Sequence, residues 1–152
     1  MYEEKLKKYI SDNNIQSEHF SFNESCHSVE EAAKVVNASA DDFVKNICML
    51  SSEGVLIVAI VKGEDKASRT RVGEVMGIEM PRLSIPEEIL EKTGYPCGGT
   101  PSFGYDATFL IDERVMEKEF VYTGGGSENS LLKISTKELQ RVNNAQVIKI
   151  RR

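Results

Sequence analysis

Apolar residues recur along the chain with two different periods, which predict helices and strands respectively. Over residues 2–13 the apolar side chains fall at helical spacing, so a first helix is expected there. Residues 19–22 are a short strand candidate. Ser28 begins a Ser-Val-Glu-Glu capping pattern, in which the serine accepts from the third helical amide. This pattern predicts a second helix directly after Ser28.

Two apolar runs in the first half of the chain predict a β-hairpin. They are Val44–Leu50 and Val55–Val61, joined by four polar or small residues at 51–54. The second run is apolar at every position. Because a strand with two apolar faces must be covered on both sides, it is expected at the centre of a sheet.

The remaining predicted elements are short, and glycine or proline separates many of them. Helices are expected at 68–77, from Pro86 to Gly94, and from Ser135 to Val142; strands are expected at 108–111, 119–122, 131–134 and 146–150. This irregular alternation is typical of the α+β class. A single domain with a mixed, strongly bent sheet is therefore predicted.

Composition and charge exclude several classes of function. The chain has 152 residues, of which 40% are hydrophobic and 28% are charged, which is typical of a globular domain. Its 19 basic and 24 acidic residues leave a net charge of −5. This balance argues against coating nucleic acid by bulk electrostatics, which needs clustered Lys and Arg. A net charge of −5 does not exclude a local basic patch that contacts the end of a nucleic acid.

Neither a membrane segment nor a structural metal site is expected. The longest apolar run, Val55–Val61, is far shorter than the roughly 20 residues of a membrane span. The three cysteines are far apart in sequence, and there are only two histidines. This pattern predicts neither a disulfide framework nor a zinc site, and it is consistent with a reducing cytoplasm.

Two loops are unusually rich in glycine, at residues 94–104 and 124–126. Glycine allows positive φ and close approach of a ligand, and consecutive amides in such turns can hold an anion. Two tight turns in a bent sheet would explain the same glycines. Neither loop has the spacing of a P-loop or of a dinucleotide-binding fingerprint. Ligand binding and a purely structural role therefore both remain open.

Lys45 interrupts the first apolar run of the hairpin. At a period of two it shares a face with Ile47 and Met49, so it either snorkels at the strand end or points into a pocket. The residues alone favour snorkelling, because lysine is rarely buried unless it is paired. A cationic cluster between Lys62 and Arg71 could similarly meet phosphates or be a solvated turn.

Nucleophile and acid candidates are weak by sequence alone. Cys97 lies in the glycine-proline loop, but no histidine partner can be identified, so a thiol hydrolase is a minor alternative. Asp106 and Asp112 flank a predicted strand and could serve a site. Asp112 is an equally good helix cap. These features together indicate a ligand-binding α+β domain.

Five motifs, taken in order, resemble the YbaK-like aminoacyl-tRNA deacylase family, which is also inserted in some prolyl-tRNA synthetases as an editing domain. The motifs are Ser28–Ala33, Phe43–Ile47, Val58–Gly63, Gly94–Gly104, and Tyr122–Gly126 with the strand after it. The resemblance covers nearly the whole chain and implies one editing domain over residues 1–152, with a barrel-like sheet flanked by helices. Ser102 and Tyr105 stand where the family often has proline and histidine.

The resemblance implies a trans-editing hydrolase that removes a mischarged amino acid from the terminal adenosine of tRNA. Cysteine or alanine on proline tRNA would be the substrates, and no metal or other cofactor is expected. The implied partners are the aminoacylated 3′ end of tRNA and an aminoacyl-tRNA synthetase. The implied catalytic residues are Lys45, Gly98, Gly99 and Gly125; the implied substrate-binding residues are His27, Thr100, Pro101, Ser102, Phe103, Gly104, Gly124 and Gly126.

A different class of function fits the same residues. A non-catalytic module that holds a tRNA end or a nucleotide, and docks on a synthetase, would also use a lysine and glycine-rich loops. It would bind without hydrolysis.

Overall fold

The computed structural model describes residues 1–152 and contains five α-helices and two β-sheets. The helices are α1 (Tyr2–Asp12), α2 (Val29–Val36), α3 (Arg69–Met76), α4 (Pro86–Thr93) and α5 (Thr136–Asn143). The strands are β1 (Ser17–Ser21), β2 (Val44–Leu50), β3 (Leu56–Lys62), β4 (Arg82–Leu83), β5 (Thr108–Ile111), β6 (Phe120–Gly124), β7 (Ser130–Ser135) and β8 (Gln146–Val147). The predicted α+β class is confirmed.

The larger sheet is mixed and has the strand order β4-β2-β3-β5-β8. Strands β2 and β3 form the predicted hairpin, with Val44 opposite Lys62 and Leu50 opposite Leu56. Every residue of β3 is buried. The strand occupies the middle of the sheet, as its two apolar faces predicted.

The single barrel-like sheet expected from the sequence is instead two sheets, and they do not close into a barrel. Strands β1, β7 and β6 form a separate antiparallel sheet. A 3₁₀ turn at Glu113–Glu117 follows β5, with the Asp112 side chain accepting from the Arg114 amide. This turn directs the chain out of the larger sheet. The two sheets still meet at one parallel bridge, between Phe43 and Tyr122.

Helix boundaries follow the capping residues predicted from the sequence. The Ser28 hydroxyl accepts from the Glu31 amide at 3.1 Å and begins α2. Helices α3 and α4 end at Gly77 and Gly94, both with positive φ. Strand β4 was not predicted, and the last strand ends at Val147 rather than at 150. Both strands, β4 and β8, are only two residues long, which is too short for the alternation of apolar and polar residues to reveal them.

The largest apolar cluster draws on both sheets and on the helices around them. It joins Val58 and Ile60 of the larger sheet to Leu132 of the smaller one, and it includes Leu6 of α1 and Leu139 of α5. This shared core holds the two sheets in a fixed relation. The cleft between β2 and β6 is therefore a stable feature of the fold.

Two of the four cations in the predicted Lys62–Arg71 cluster are bonded within the protein itself. Lys62 is buried and forms an ion pair with Asp41, which also binds Lys118 at 3.0 Å. The Arg69 guanidinium donates to the Pro81 carbonyl at 2.8 Å. Hydrogen bonds from Lys62 and then Lys118 lower the pKa of Asp41 from 3.8 to about 2. Lys62 and Arg69 therefore stabilise the fold rather than offer a phosphate site.

Removing the Asp41 charge should destabilise the protein and change its response to acid. Because the folded pKa is depressed, the stabilisation is present above about pH 4 and is lost as the pH falls toward 2. Asp41→Asn should lower the unfolding free energy at pH 7 by about 1–2 kcal/mol, a value reduced by the partial exposure of Asp41. Urea unfolding at several pH values measures this. Asp12→Asn, an exposed control, should change it little.

Candidate active site

A cavity of about 190 Å³ opens where the two sheets meet. Its wall is built from the start of α2, the start of β2, the glycine-proline loop and the end of β6. Among the residues predicted from the sequence, it brings together Lys45, Gly98, Thr100, Gly124 and His27. The two glycine-rich loops, distant in sequence, thus meet beside the predicted lysine.

Lys45 lines this cavity and has no ion-pair or hydrogen-bond partner in the protein. Its side chain is half-buried. Burial lowers the pKa of Lys45, the nearby Lys66 charge lowers it further, and Asp65 and Glu30 oppose the shift. An unpaired lysine with a shifted pKa in a cavity is typical of a functional residue rather than of a structural one.

Replacing Lys45 with methionine should therefore stabilise the protein at neutral pH. Since the folded pKa of Lys45 lies below its unfolded value, the charged amine opposes folding below the folded pKa. This cost disappears as the pH rises through the folded pKa toward the unfolded one. Lys45→Met should thus raise the urea midpoint at pH 7, and the gain should shrink as the pH rises toward the unfolded pKa of about 10. An unchanged or lower midpoint at pH 7 would contradict a desolvated Lys45.

Two residues of the glycine-proline loop that line the cavity have backbone amides without a partner in the protein. The amides of Gly98 and Thr100 donate no hydrogen bond within the protein, whereas the Gly99 amide donates to the Pro96 carbonyl at 3.0 Å. Gly98 has a φ of +89°, and the His27 ring occupies the space that a side chain at Gly98 would need. The positive φ is what favours glycine here, because the exposed His27 ring can move aside. Gly98 and Thr100, not Gly99, are the available donors.

The triple-glycine segment interlocks with this loop. Gly124 lines the cavity and packs directly against the Thr100 carbonyl, leaving no room for a side chain. Gly126 donates its amide to the Gly99 carbonyl at 2.9 Å. Gly125 is buried behind the cavity wall, and its carbonyl lies 2.8 Å from His19 Nε2. Of the three glycines, only Gly124 reaches the cavity.

The sequence around this site matches the model of a known protein family. The family model described as the aminoacyl-tRNA editing domain matches residues 23–142, well over half of the chain. The chain belongs to the aminoacyl-tRNA editing domain family. The family resemblance inferred from the sequence motifs is thereby confirmed.

Relatives of this editing domain differ in how much of their own length it matches. It is 25% identical over 144 residues to the uncharacterized protein YwhH of Bacillus subtilis, covering 93% of this chain and 91% of that protein. It is 23% identical over 118 residues to the proline–tRNA ligase of Oleidesulfovibrio alaskensis, covering 76% of this chain but only 20% of the ligase.

Solved structures share the fold of the editing domain across almost its full length. The hypothetical protein APE2540 superposes with a TM-score of 0.90 at 27% identity, covering 97% of this chain and 99% of that one. A candidate trans-editing enzyme for prolyl tRNA synthetase superposes at 0.88 with 22% identity, covering 99% and 97%. At this lower identity the likeness shows the fold alone.

The other predicted loop residues of the editing domain lie behind the cavity. The Pro101 carbonyl accepts from the Tyr105 hydroxyl at 2.7 Å. Ser102 and Phe103 are buried, and Phe103 belongs to the core. Gly104 has a φ of +96° and packs near Tyr9. These residues shape the loop from inside, whereas Gly98 and Thr100 face the cavity.

Asn46 holds the two loops together, and the sequence did not single it out. Its amide nitrogen donates to the Thr100 carbonyl and to the Thr123 hydroxyl, both at 3.0 Å. Its amide oxygen accepts from the Ser102 hydroxyl at 2.6 Å, and the Ser102 and Thr123 hydroxyls are 2.7 Å apart. Its one sequence signal was its place as a polar residue on an otherwise apolar face of the strand Val44–Leu50, which could have marked it as a buried hydrogen-bonding residue.

Cys97 and His27 both line the cavity but form no dyad. His27 Nδ1 lies 3.4 Å from a carboxylate oxygen of Glu128, and no hydrogen bond joins it to Cys97. Cys97 is a free, half-buried thiol. The editing domain therefore shows no assembled nucleophile and base, and nothing in this geometry favours the thiol-hydrolase alternative.

Asp112, an alternative site candidate, has a structural role. It is fully buried, and its carboxylate accepts from the amides of Arg114, Ile150 and Arg151 and from the Arg151 guanidinium.

Nowhere in the editing domain do three His, Cys, Asp or Glu side chains gather as metal ligands. The helices are also too short or too polar to cross a bilayer.

Proposed function

We propose that residues 1–152, as one editing unit, hydrolyse the ester of mischarged aminoacyl-tRNA. Family membership supports the choice of substrate. The observation that carries the proposal is the unpaired Lys45 in a cavity that also presents the unoccupied amides of Gly98 and Thr100. This is a site prepared for negative charge, because a cation and free N–H donors meet there without an internal acceptor.

In the proposed reaction, water attacks the ester carbonyl carbon and a tetrahedral oxyanion forms. The Gly98 and Thr100 amides donate to that oxygen as its charge grows, which lowers the barrier. The carbon–oxygen bond to the ribose then breaks, the ribose oxygen takes up the proton that the attacking water released, and a free amino acid leaves. Lys45 contributes a fixed positive charge, either to the oxyanion or to the phosphate and hydroxyls of the terminal adenosine.

The cavity favours an uncharged aminoacyl group. Its volume of about 190 Å³ is limited by apolar side chains, among them Val29, Ala32, Ile47, Ile89 and Leu131. Alanine and cysteine would fit such a space, and its apolar lining disfavours a charged side chain. Since an apolar pocket discriminates one methylene by only about 1–3 kcal/mol, selection against a correct amino acid of similar size would depend on shape as well as volume.

A synthetase partner would complement the weak electrostatics of this chain. The net charge is −5, and the cations Lys62 and Arg69 are already bonded within the protein. Affinity for tRNA alone should therefore be weak and should fall with added salt. A prolyl-tRNA synthetase that already holds the tRNA would supply the missing affinity in the cytoplasm.

A panel of aminoacyl-tRNAs tests the proposal and its alternative. Purified protein is mixed with alanyl-, cysteinyl-, prolyl- and phenylalanyl-tRNA, and release of the amino acid and binding of the tRNA are both measured. The proposal predicts release of alanine or cysteine well above the spontaneous rate. Saturable binding without release from any member would replace it with a non-catalytic tRNA-end module.

A further inference from the structure

Helix α1 precedes the residues matched by the family model, yet it contacts the triple-glycine loop. The Glu3 carboxylate accepts from the Ser127 hydroxyl at 2.7 Å and also from the Ser21 hydroxyl. A methyl group at Gly126 would lie 2.9 Å from the Tyr2 carbonyl oxygen. The backbone of α1 thus rests directly against this loop.

Ser127 connects α1 to the donors at the cavity. Its backbone lies directly against Gly99, where a methyl group would come within 2.6 Å of the Ser127 carbonyl carbon. The neighbouring Gly126 amide donates to the Gly99 carbonyl at 2.9 Å. Gly99 stands between Gly98 and Thr100, the two residues with unoccupied amides. The path from Glu3 to these amides is therefore short and consists of direct contacts.

The surroundings of Glu3 keep its carboxyl group ionised. Burial alone would raise the pKa of Glu3, but the hydrogen bonds from Ser21 and Ser127, with His19 and Lys7 nearby, lower it overall. Glu3 is therefore a carboxylate at neutral pH, and a carboxylate accepts hydrogen bonds from two hydroxyls at once. Hydrogen bonds to an ionised acceptor are stronger than those between neutral groups.

We propose that α1 is a positioning element of the editing site, in which Glu3 fixes the triple-glycine loop through Ser127 and thereby fixes the Gly98 and Thr100 amides above the cavity. The proposal rests on the proposed function, because it assigns those amides a reacting ester. Glu3 does not touch substrate and acts only through the loop. A displacement of catalytic groups by about 1 Å is enough to lower a rate by on the order of 100-fold.

Glu3→Ala tests this inference, with Glu4→Ala as the matched control. Both changes remove one acidic residue from the first turn of α1, but Glu4 is exposed and pairs only with the N-terminal amine. Glu3→Ala should lower kcat roughly 10- to 100-fold with little change in KM, at a temperature well below its unfolding midpoint. Glu3→Gln, which can still bond both hydroxyls, should recover most of the rate. Equal rates for the two alanine variants would overturn the proposal.

Backbone amide resonances give a readout that does not depend on activity. In ¹⁵N spectra, Glu3→Ala should shift the Gly98, Thr100 and Gly126 amides, and Glu4→Ala should leave them in place. Unchanged Gly98 and Thr100 resonances in Glu3→Ala would overturn the positioning role even if the wild-type protein released no amino acid. Absence of release by the wild type together with these shifts would instead refute the proposed function alone.

Discussion

Lys45→Ala is expected to lower kcat/KM for aminoacyl-tRNA hydrolysis by roughly 100-fold or more while the fold survives. The lysine has no partner whose loss would unbalance the structure, and it stands in the cavity beside the free amides of Gly98 and Thr100. Its removal takes away the cavity's unpaired positive charge at the point where negative charge develops. Rates from single-turnover release of labelled amino acid would measure the effect.

Lys66→Ala provides the control for general electrostatics. Lys66 is exposed and close enough to Lys45 to depress its pKa, but it does not line the cavity. Its loss should change the rate by less than about threefold, in line with a screened surface charge. Full activity in Lys45→Ala, with a normal unfolding midpoint, would remove Lys45 from the proposed mechanism.

Asn46→Ala is expected to lower both stability and activity. The variant removes the acceptor of the Ser102 hydroxyl and the donor to the Thr100 carbonyl, both in the interior of the loop. The Ser102 hydroxyl keeps Thr123 as a partner, but the Thr100 carbonyl is left unpaired. A buried group without a partner costs about 1–3 kcal/mol, so the unfolding free energy should fall by about that amount. Because the same bonds hold the Thr100 segment at the cavity, the rate should fall at temperatures where the variant remains folded.

Asn129→Ala is the matched control for Asn46. Asn129 lies in the exposed turn before β7, and its side chain makes no hydrogen bond. Its replacement should leave both the urea midpoint and the rate nearly unchanged. If Asn46→Ala behaved in the same way, the network would not be what holds the two loops together.

Local signals predicted most of the elements that frame the site. Val44–Leu50 was recognised as a strand because its apolar run is long and bounded, and Ser28 marked the start of α2 because capping is a local interaction. The division into two sheets was missed. It depends on where β6 finds a partner after the Glu113–Glu117 turn, and such long-range pairing leaves no periodic trace in the sequence.

Local motifs located the loops of the site, but they did not show which loop residues line the cavity. Lys45, Gly98 and Gly124 lie in the cavity as the motifs indicated, whereas Gly125, Ser102 and Phe103 lie behind it. A loop motif names a segment, but the fold decides which of its residues face inward. The role of Asn46 depends on partners far along the chain, and only the assembled structure shows them together.

The most direct test of the central claim is hydrolysis of alanyl- and cysteinyl-tRNA(Pro) by the wild-type protein at micromolar enzyme in low salt. The expected result is time-dependent release of the free amino acid, well above spontaneous hydrolysis and lost in Lys45→Ala. Release no faster than the spontaneous rate, from a folded protein supplied with prolyl-tRNA synthetase, would contradict an editing role for this cavity.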